Sequence, residues 1–229
     1  MNLDQIWAEV EEDLQWRTEE IRFLHNQIAD LDNVDSKDQL RRATVLMLYA
    51  HFEGFCKFVF LTYIKTINEE SLFCKDVNFA LAASAMSKIF DEMRQPDKKS
   101  ELFRNSLPNE GKLHRFARDR EFIETMQRFE MTQVVIPDSI ADTESNLKPI
   151  VLSKILFYLG FEHDAFKVID GDIHTLLNIR NKIAHGVERG GVTEQIYNRV
   201  YASTFRIMRE IKSIIMESLS TSGFLRTTA

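Results

Sequence analysis

The chain has 229 residues, of which 44% are hydrophobic and 28% charged, and its formal net charge is −6. That length predicts one domain with room for a proper core. Four prolines and eight glycines are too few for a turn-rich all-β fold, and the negative net charge argues against a generic nucleic-acid coat protein.

Residues 3–31 repeat apolar side chains at helical spacing, from Leu3, Ile6 and Trp7 to Ile28 and Leu31. The same stretch begins an acidic segment: residues 1–40 hold eleven acids against Arg17, Arg22 and Lys37. No secretory signal is expected, because Asp4 and Glu9 to Asp13 bring acids to the start. Ser36 and Gln39 form a capping-box pattern for a second helix over Lys37–Asn68. This helix is apolar nearly all round and should be central. His51, Glu53 and Lys57 near its middle make it a core helix rather than a membrane span. A shorter helix is expected over Val77–Met93.

Gln95-Pro96-Asp97 breaks the pattern, and residues 94–147 read as an insertion within a single domain over 1–229. Within it, residues 94–120 hold eight bases against four acids. That surface fits either a phosphate backbone or a solvated mixed-charge face. A turn is expected at Pro108–Gly111, a helix at Glu121–Glu130 and a short strand at Val134–Ile136. Helices resume at Lys148–Leu159, stopped by Gly160, and continue from a cap at Asp170 or Asp172 to His185, stopped by Gly186. Thr193 and Glu194 open a last helix to Leu219. The fold class is all-α, an up-and-down bundle with one helical and loop insertion. Cys56 and Cys74 lack metal-ligand spacing and read as free thiols in a reducing, cytoplasmic setting.

The chemistry concentrates on the helix ending at His185. Ile173, Leu176, Leu177, Ile183 and Ala184 share one face, and His174, Asn178, Asn181 and His185 share another. Arg180 lies in the apolar arc, so it should be partly buried and need a partner. Glu53 is the candidate, as the only acid between Thr44 and Ile67. Its competing partner is Lys57, four residues on. His185 ends its helix, where the negative end of the dipole favours the imidazolium, suiting a group that exchanges protons. The plain alternative is a C-capping histidine. His51 is either a core histidine or a residue supporting the site. Tyr49 and Lys57 share the Glu53 face and could rim it. Asn178, His174 and Lys182 are candidate substrate contacts, against a solvent-facing reading for His174.

The string Arg180-Asn181-Lys182-Ile183-Ala184-His185-Gly186 resembles the R-x4-6-H motif of HEPN domains. Ala50-His51-Phe52-Glu53-Gly54-Phe55-Cys56-Lys57 looks like the H-F-E-G-F-x-K stretch of a prokaryotic, MAE-like HEPN branch. The resemblance covers about residues 37–70 and 148–219, outside the insertion. It implies a ribonuclease that works without a metal or other cofactor and pairs as a homodimer with two motifs facing each other. By the resemblance His185 is the general acid or base, Arg180 holds the phosphate, and Asn181 orients the imidazole or binds the phosphate. RNA would be the substrate, and an antitoxin or other defence-system protein a candidate partner, with no membrane involved. Arg180 and His185 lie ~140° apart on a straight helix, so two antiparallel copies would be needed to bring one chain's Arg to the other's His. No Gly-rich phosphate loop, zinc-type cluster or G-x-S-x-G occurs. The other function class is a non-catalytic helical module that binds a protein or nucleotide.

Overall fold

Asn33 starts the longest helix, three residues before the expected Ser36 cap. Its side chain accepts from the Ser36 amide at 2.9 Å, and α2 runs over Val34–Glu69. Asparagine caps at least as well as serine, so the upstream residue takes the role. This computed structural model describes every residue except Pro96, Leu102, Arg104, Glu188, Arg189, Thr228 and Ala229. Part of the expected break at Gln95-Pro96-Asp97 and one base of the insertion, Arg104, therefore lie outside the described residues.

Around α2 pack three long helices: α1 (Leu3–Asp30), α7 (Asp170–Ala184) and α8 (Glu194–Ser220). Val45, Leu48, Phe52, Phe55, Val59, Phe60 and Ile64 of α2 are almost completely buried among them. By length and composition α2 could cross a membrane, but here it is the core of the bundle. One apolar cluster joins residues from Val10 to Phe224. Each fully buried Leu, Ile or Phe in it contributes roughly 1.5–3 kcal/mol, so the bundle rather than any single helix supplies the stability. Among the described residues the chain holds eight α-helices and no strand, an all-α fold.

The stretch after α2 departs most from its sequence reading. The helix expected over Val77–Met93 is two, α3 (Phe79–Ala85) and α4 (Ser87–Arg94). Asn78 caps the first through the Leu81 amide, and Val77 is drawn into a bridge with Leu225 instead. α5 starts at Gly111, well before Glu121, because Glu110 caps it by accepting from the Leu113 amide at 2.8 Å. Val134–Ile136 is extended but unpaired as a strand. Val134 donates to the Leu72 carbonyl, and the Asn68 side chain brackets Ile136, bonding its amide and its carbonyl.

The expected insertion thus splits into two parts. α4 and α5 pack on one another, with Arg118 bonding the carbonyls of Glu92 and Gln95 and Ser100 bonding Glu121. Arg94, Lys98 and Arg120 pair with Asp91, Glu92 and Glu124, so the mixed-charge reading fits better than a continuous basic face. Residues 132–147 run back along the bundle and bury Val134, Ile136, Ala141 and Leu147 in the main core.

Two glycines end the helices that frame the later chain. α6 (Pro149–Tyr158) stops at Gly160, with φ +86, and α7 stops before Gly186, with φ +66. At α7 the Gly186 amide bonds the Ile183 carbonyl and the Val187 amide bonds Lys182. This is the Schellman pattern, in which a left-handed residue ends the helix. The start of α7 corrects the expected Asp cap. Ile169 occupies the cap without a side-chain bond, while Asp172 pairs with Arg199 and accepts from Ser203 of α8.

Candidate functional site

The string His51-Phe52-Glu53-Gly54 sits mid-way along α2 and serves two neighbours. His51 is buried against α1, with Nε2 2.6 Å from Glu20 and Nδ1 3.4 Å from Arg17, and its ring meets the edge of Trp16. Burial lowers its pKa, with Glu20 partly opposing. A Cβ on Gly54 would stand 2.9 Å from Arg17 Nη1, so the missing side chain lets Arg17, itself held by Asp13 at 2.6 Å, lie on α2. His51 therefore fastens α1, and it makes no contact with Arg180.

Glu53 is half-buried and belongs to a different contact set. Thr143 Oγ1 donates to its carboxylate at 2.7 Å. The expected Glu53–Arg180 ion pair does not form, nor does the alternative Glu53–Lys57 pair; Lys57 is exposed. Tyr49, one turn before Glu53, occupies the intervening space. Its ring lies under the Arg180 guanidinium, 5.0 Å from the centroid, and its hydroxyl accepts from the Leu147 amide at 2.9 Å. Burial pushes the Tyr49 pKa up to about 12, with the Glu53 carboxylate adding to the shift. The arginine in the apolar arc is thus accommodated by an aromatic face, a recognised way to seat a guanidinium, where an acid was expected.

Arg180 is half-buried on α7. Its Nη1 donates to Asn181 Oδ1 at 2.8 Å and to Asn146 Oδ1 at 3.1 Å. Among the described residues its Nε and Nη2 have no hydrogen-bond partner. Asn146 comes from the segment set aside as an insertion, and no motif singled it out. It closes a turn in which the Asn146 amide bonds the Thr143 carbonyl, while Glu144 and Ser145 take φ +54 and +60. Two consecutive left-handed residues give the form of a type I′ turn, and each costs something when it is not glycine. Glu144 is braced by Lys154 and by its own amide to Asp142.

His185 caps α7 with its backbone amide, which bonds the Asn181 carbonyl at 3.0 Å. Its side chain is exposed and makes no hydrogen bond or ion pair with a described residue. One chain therefore does not join the Arg180 and His185 side chains. His174 and Asn178 are exposed on the same helix, as the wheel required, and Asn181 is half-buried beside Arg180; Lys182 is exposed. Ala184, expected on the apolar face, is also exposed, because the helix ends there. Beyond His185 the chain is fastened again at Val192, whose amide bonds the Asp38 carbonyl of α2 at 3.0 Å. A Cβ on Gly191 would meet Asp38 Cβ at 2.2 Å.

Among the described residues, Glu162, His163 and Asp164 are the one group of acids and imidazoles close enough to share an ion. They are exposed after α6 and lie outside the Arg180 cluster. Cys56 is fully buried on α2, and burial raises its pKa. Cys74 is also buried and free.

The family described as RiboL-PSP-HEPN matches residues 12–217. The match runs through 94–147 as well as through the two motif-bearing stretches. No curated protein and no solved structure matches the chain significantly.

Proposed function

The chain belongs to the RiboL-PSP-HEPN family, and from that premise we propose that it is an endoribonuclease that needs no metal and whose active site is completed by a second copy. A nuclease or other RNA-related role is in keeping with the family. The observation that carries the finer reading is the state of the motif in one chain. Arg180 is held on one side by Asn146, Asn181 and Tyr49, with donors to spare, while His185 stands exposed at the helix end.

In this reading a phosphodiester sits on Arg180. His185 of the other copy takes the proton of the ribose 2′-OH, whose oxygen attacks the adjacent phosphorus. The P–O5′ bond breaks, the 5′-oxygen leaves with the proton that the imidazolium so formed gives up, and a 2′,3′-cyclic phosphate remains. Arg180 stabilises the charge that grows on the non-bridging oxygens. DNA lacks the nucleophile, so the reaction selects RNA. Two free, buried thiols suit a cytoplasmic setting. We infer a role in prokaryotic defence or a toxin–antitoxin pair, with a separate protein restraining the activity.

The test is cleavage of a mixed RNA pool in EDTA by the full chain and by His185→Ala, with product ends analysed for cyclic phosphate. The reading requires cleavage by the wild type and its loss in the variant. Equal survival of the RNA with both proteins would leave the binding-module alternative.

A further inference from the structure

We propose that Asn146 and Asn181 build, together with Arg180, a cradle rich in unused hydrogen-bond donors, and that this cradle takes the phosphodiester of the substrate. Asn146 is its substrate-contacting member from outside the motif. The proposal rests on the ribonuclease reading for the identity of the ligand, and on geometry for the cradle itself.

The argument begins with what a guanidinium can do. It carries five N–H groups and no acceptor. A carboxamide beside Nη1 must therefore turn its carbonyl oxygen inward. Both Asn146 and Asn181 do so, at 3.1 and 2.8 Å. Each Oδ1 then faces the guanidinium, and the two NH2 groups remain as unused donors. Among the described residues neither amide nitrogen, nor Nε or Nη2 of Arg180, has an acceptor. The carboxylate expected to neutralise Arg180 forms no ion pair with it; Glu53 accepts from Thr143. A half-buried positive charge that forms no ion pair with a described acid and keeps N–H donors unused fits an oxyanion. Non-bridging phosphate oxygens, which accept from several donors at once, match it best.

The turn supports the same role. Asn146 is not placed by a helix register but by the 143–146 turn, with Glu144 and Ser145 both left-handed. Non-glycine residues held in that region mark positions that the surrounding structure over-determines. Here the turn is fixed at both ends, by Thr143 to Glu53 and by the Leu147 amide to the Tyr49 hydroxyl. The result is a rigid mount that aims one carboxamide at one guanidinium.

The experiment uses the full chain and two probes, a labelled 2′-O-methyl oligoribonucleotide, which cannot be cleaved by 2′-oxygen attack, and inorganic phosphate as its competitor. Asn146→Asp keeps the acceptor and the size but places a negative charge in the cradle. It should raise the Kd for the oligonucleotide by about tenfold or more. Asn146→Ala should raise it less, by about three- to tenfold, and decides the matter if the Asp variant does not fold. Inorganic phosphate should compete against the wild type and lose that competition in Asn146→Asp. Binding of both probes unchanged in folded Asn146 variants overturns the cradle and leaves Asn146 a structural prop for Arg180. Lack of binding by the wild type also overturns it. The two readings fail separately. A wild type that binds through Asn146 but never cuts RNA loses the ribonuclease reading and keeps the cradle. A wild type that cuts, with Asn146 variants equally active and equally tight, loses only the cradle.

Discussion

Arg180 donates to Asn146 across 3.1 Å although 34 residues separate them in sequence. One belongs to the helix that carries the motif, the other to a strained turn packed along α2. The guanidinium is consequently fixed by three different parts of the chain, counting the Tyr49 ring beneath it. Each part can be removed separately.

Mixing two inactive variants tests whether the site is shared. If Arg180 of one chain works with His185 of the other, Arg180→Ala and His185→Ala homodimers are each dead. Co-expressed, they form hybrid dimers with one intact Arg/His combination each. Activity should return to about a quarter of wild type, since half the dimers are hybrids with one of two sites intact. A site complete within one chain recovers nothing. His185→Ala alone should lower cleavage by about 10²–10⁴-fold with the melting temperature unchanged, because its side chain is exposed and bonds to no described residue.

Tyr49→Phe separates stability from seating. The ring stays under Arg180, but the Leu147 amide loses its acceptor in a buried position. An unmet buried donor costs about 1–3 kcal/mol, which in a chain of this size lowers the melting temperature by about 2–4 °C per kcal/mol. Tyr49→Leu should cost more and reduce cleavage as well, since the aromatic face under the guanidinium is lost. Equal melting temperatures for wild type and Tyr49→Phe would contradict the Leu147 contact.

Gly191→Ala strikes the segment after His185. The added Cβ collides with Asp38 Cβ and lies 2.9 Å from the Asp38 carbonyl oxygen, which is fixed backbone of α2. Overpacking of this kind costs about 1–3 kcal/mol. The Val192 amide, bonded to that same carbonyl, should exchange with solvent faster in the variant, as hydrogen exchange would report. Unaltered exchange at Val192 would show that the contact yields without loss.

His51 gives the fold a pH dependence of defined sign. Its pKa is lowered in the folded chain, chiefly by burial, although Glu20 beside it works the other way. The unfolded chain then binds more protons in the window just below the ordinary histidine value of about 6.5. Stability should be fully present above that value and decline as pH falls towards the lowered folded value. Melting temperatures measured from pH 7.5 to 5.5 should drop, and His51→Gln should flatten this part of the profile. A profile that rises on acidification, with the rise lost in His51→Gln, would mean that the Glu20 contact dominates.

The bundle was legible because its signals are local. Apolar spacing placed α1, α2 and α8 within a few residues, and Gly160 and Gly186 marked two helix ends at which the backbone does turn left-handed. The site was legible only along one helix. The wheel put Arg180 in the apolar arc and His174, Asn178 and His185 outside it, and both placements hold. What the wheel could not supply was the partner of Arg180, because Tyr49 and Asn146 reach it from other elements. A search for charge complement favoured Glu53, whereas burial of an arginine was met by a ring and two carbonyl oxygens. Asn146 carried one weak signal, its place in Thr143-Glu144-Ser145-Asn146, a run of turn-forming residues just ahead of Pro149. The split of Val77–Met93 had none: its two halves pack on different helices, α3 on α6 and α4 on α5, which spacing within one segment does not reveal.

The residues at 144 and 145 also bear on how this protein could be improved or spoiled. Glycine would relieve the backbone at either position, and a screen for heat resistance could accept Ser145→Gly on that ground. The same change would slacken the hinge on which Asn146 hangs, trading a sharply aimed amide for one that wanders. Selection for robustness alone and selection for turnover should therefore pull these two codons in opposite directions.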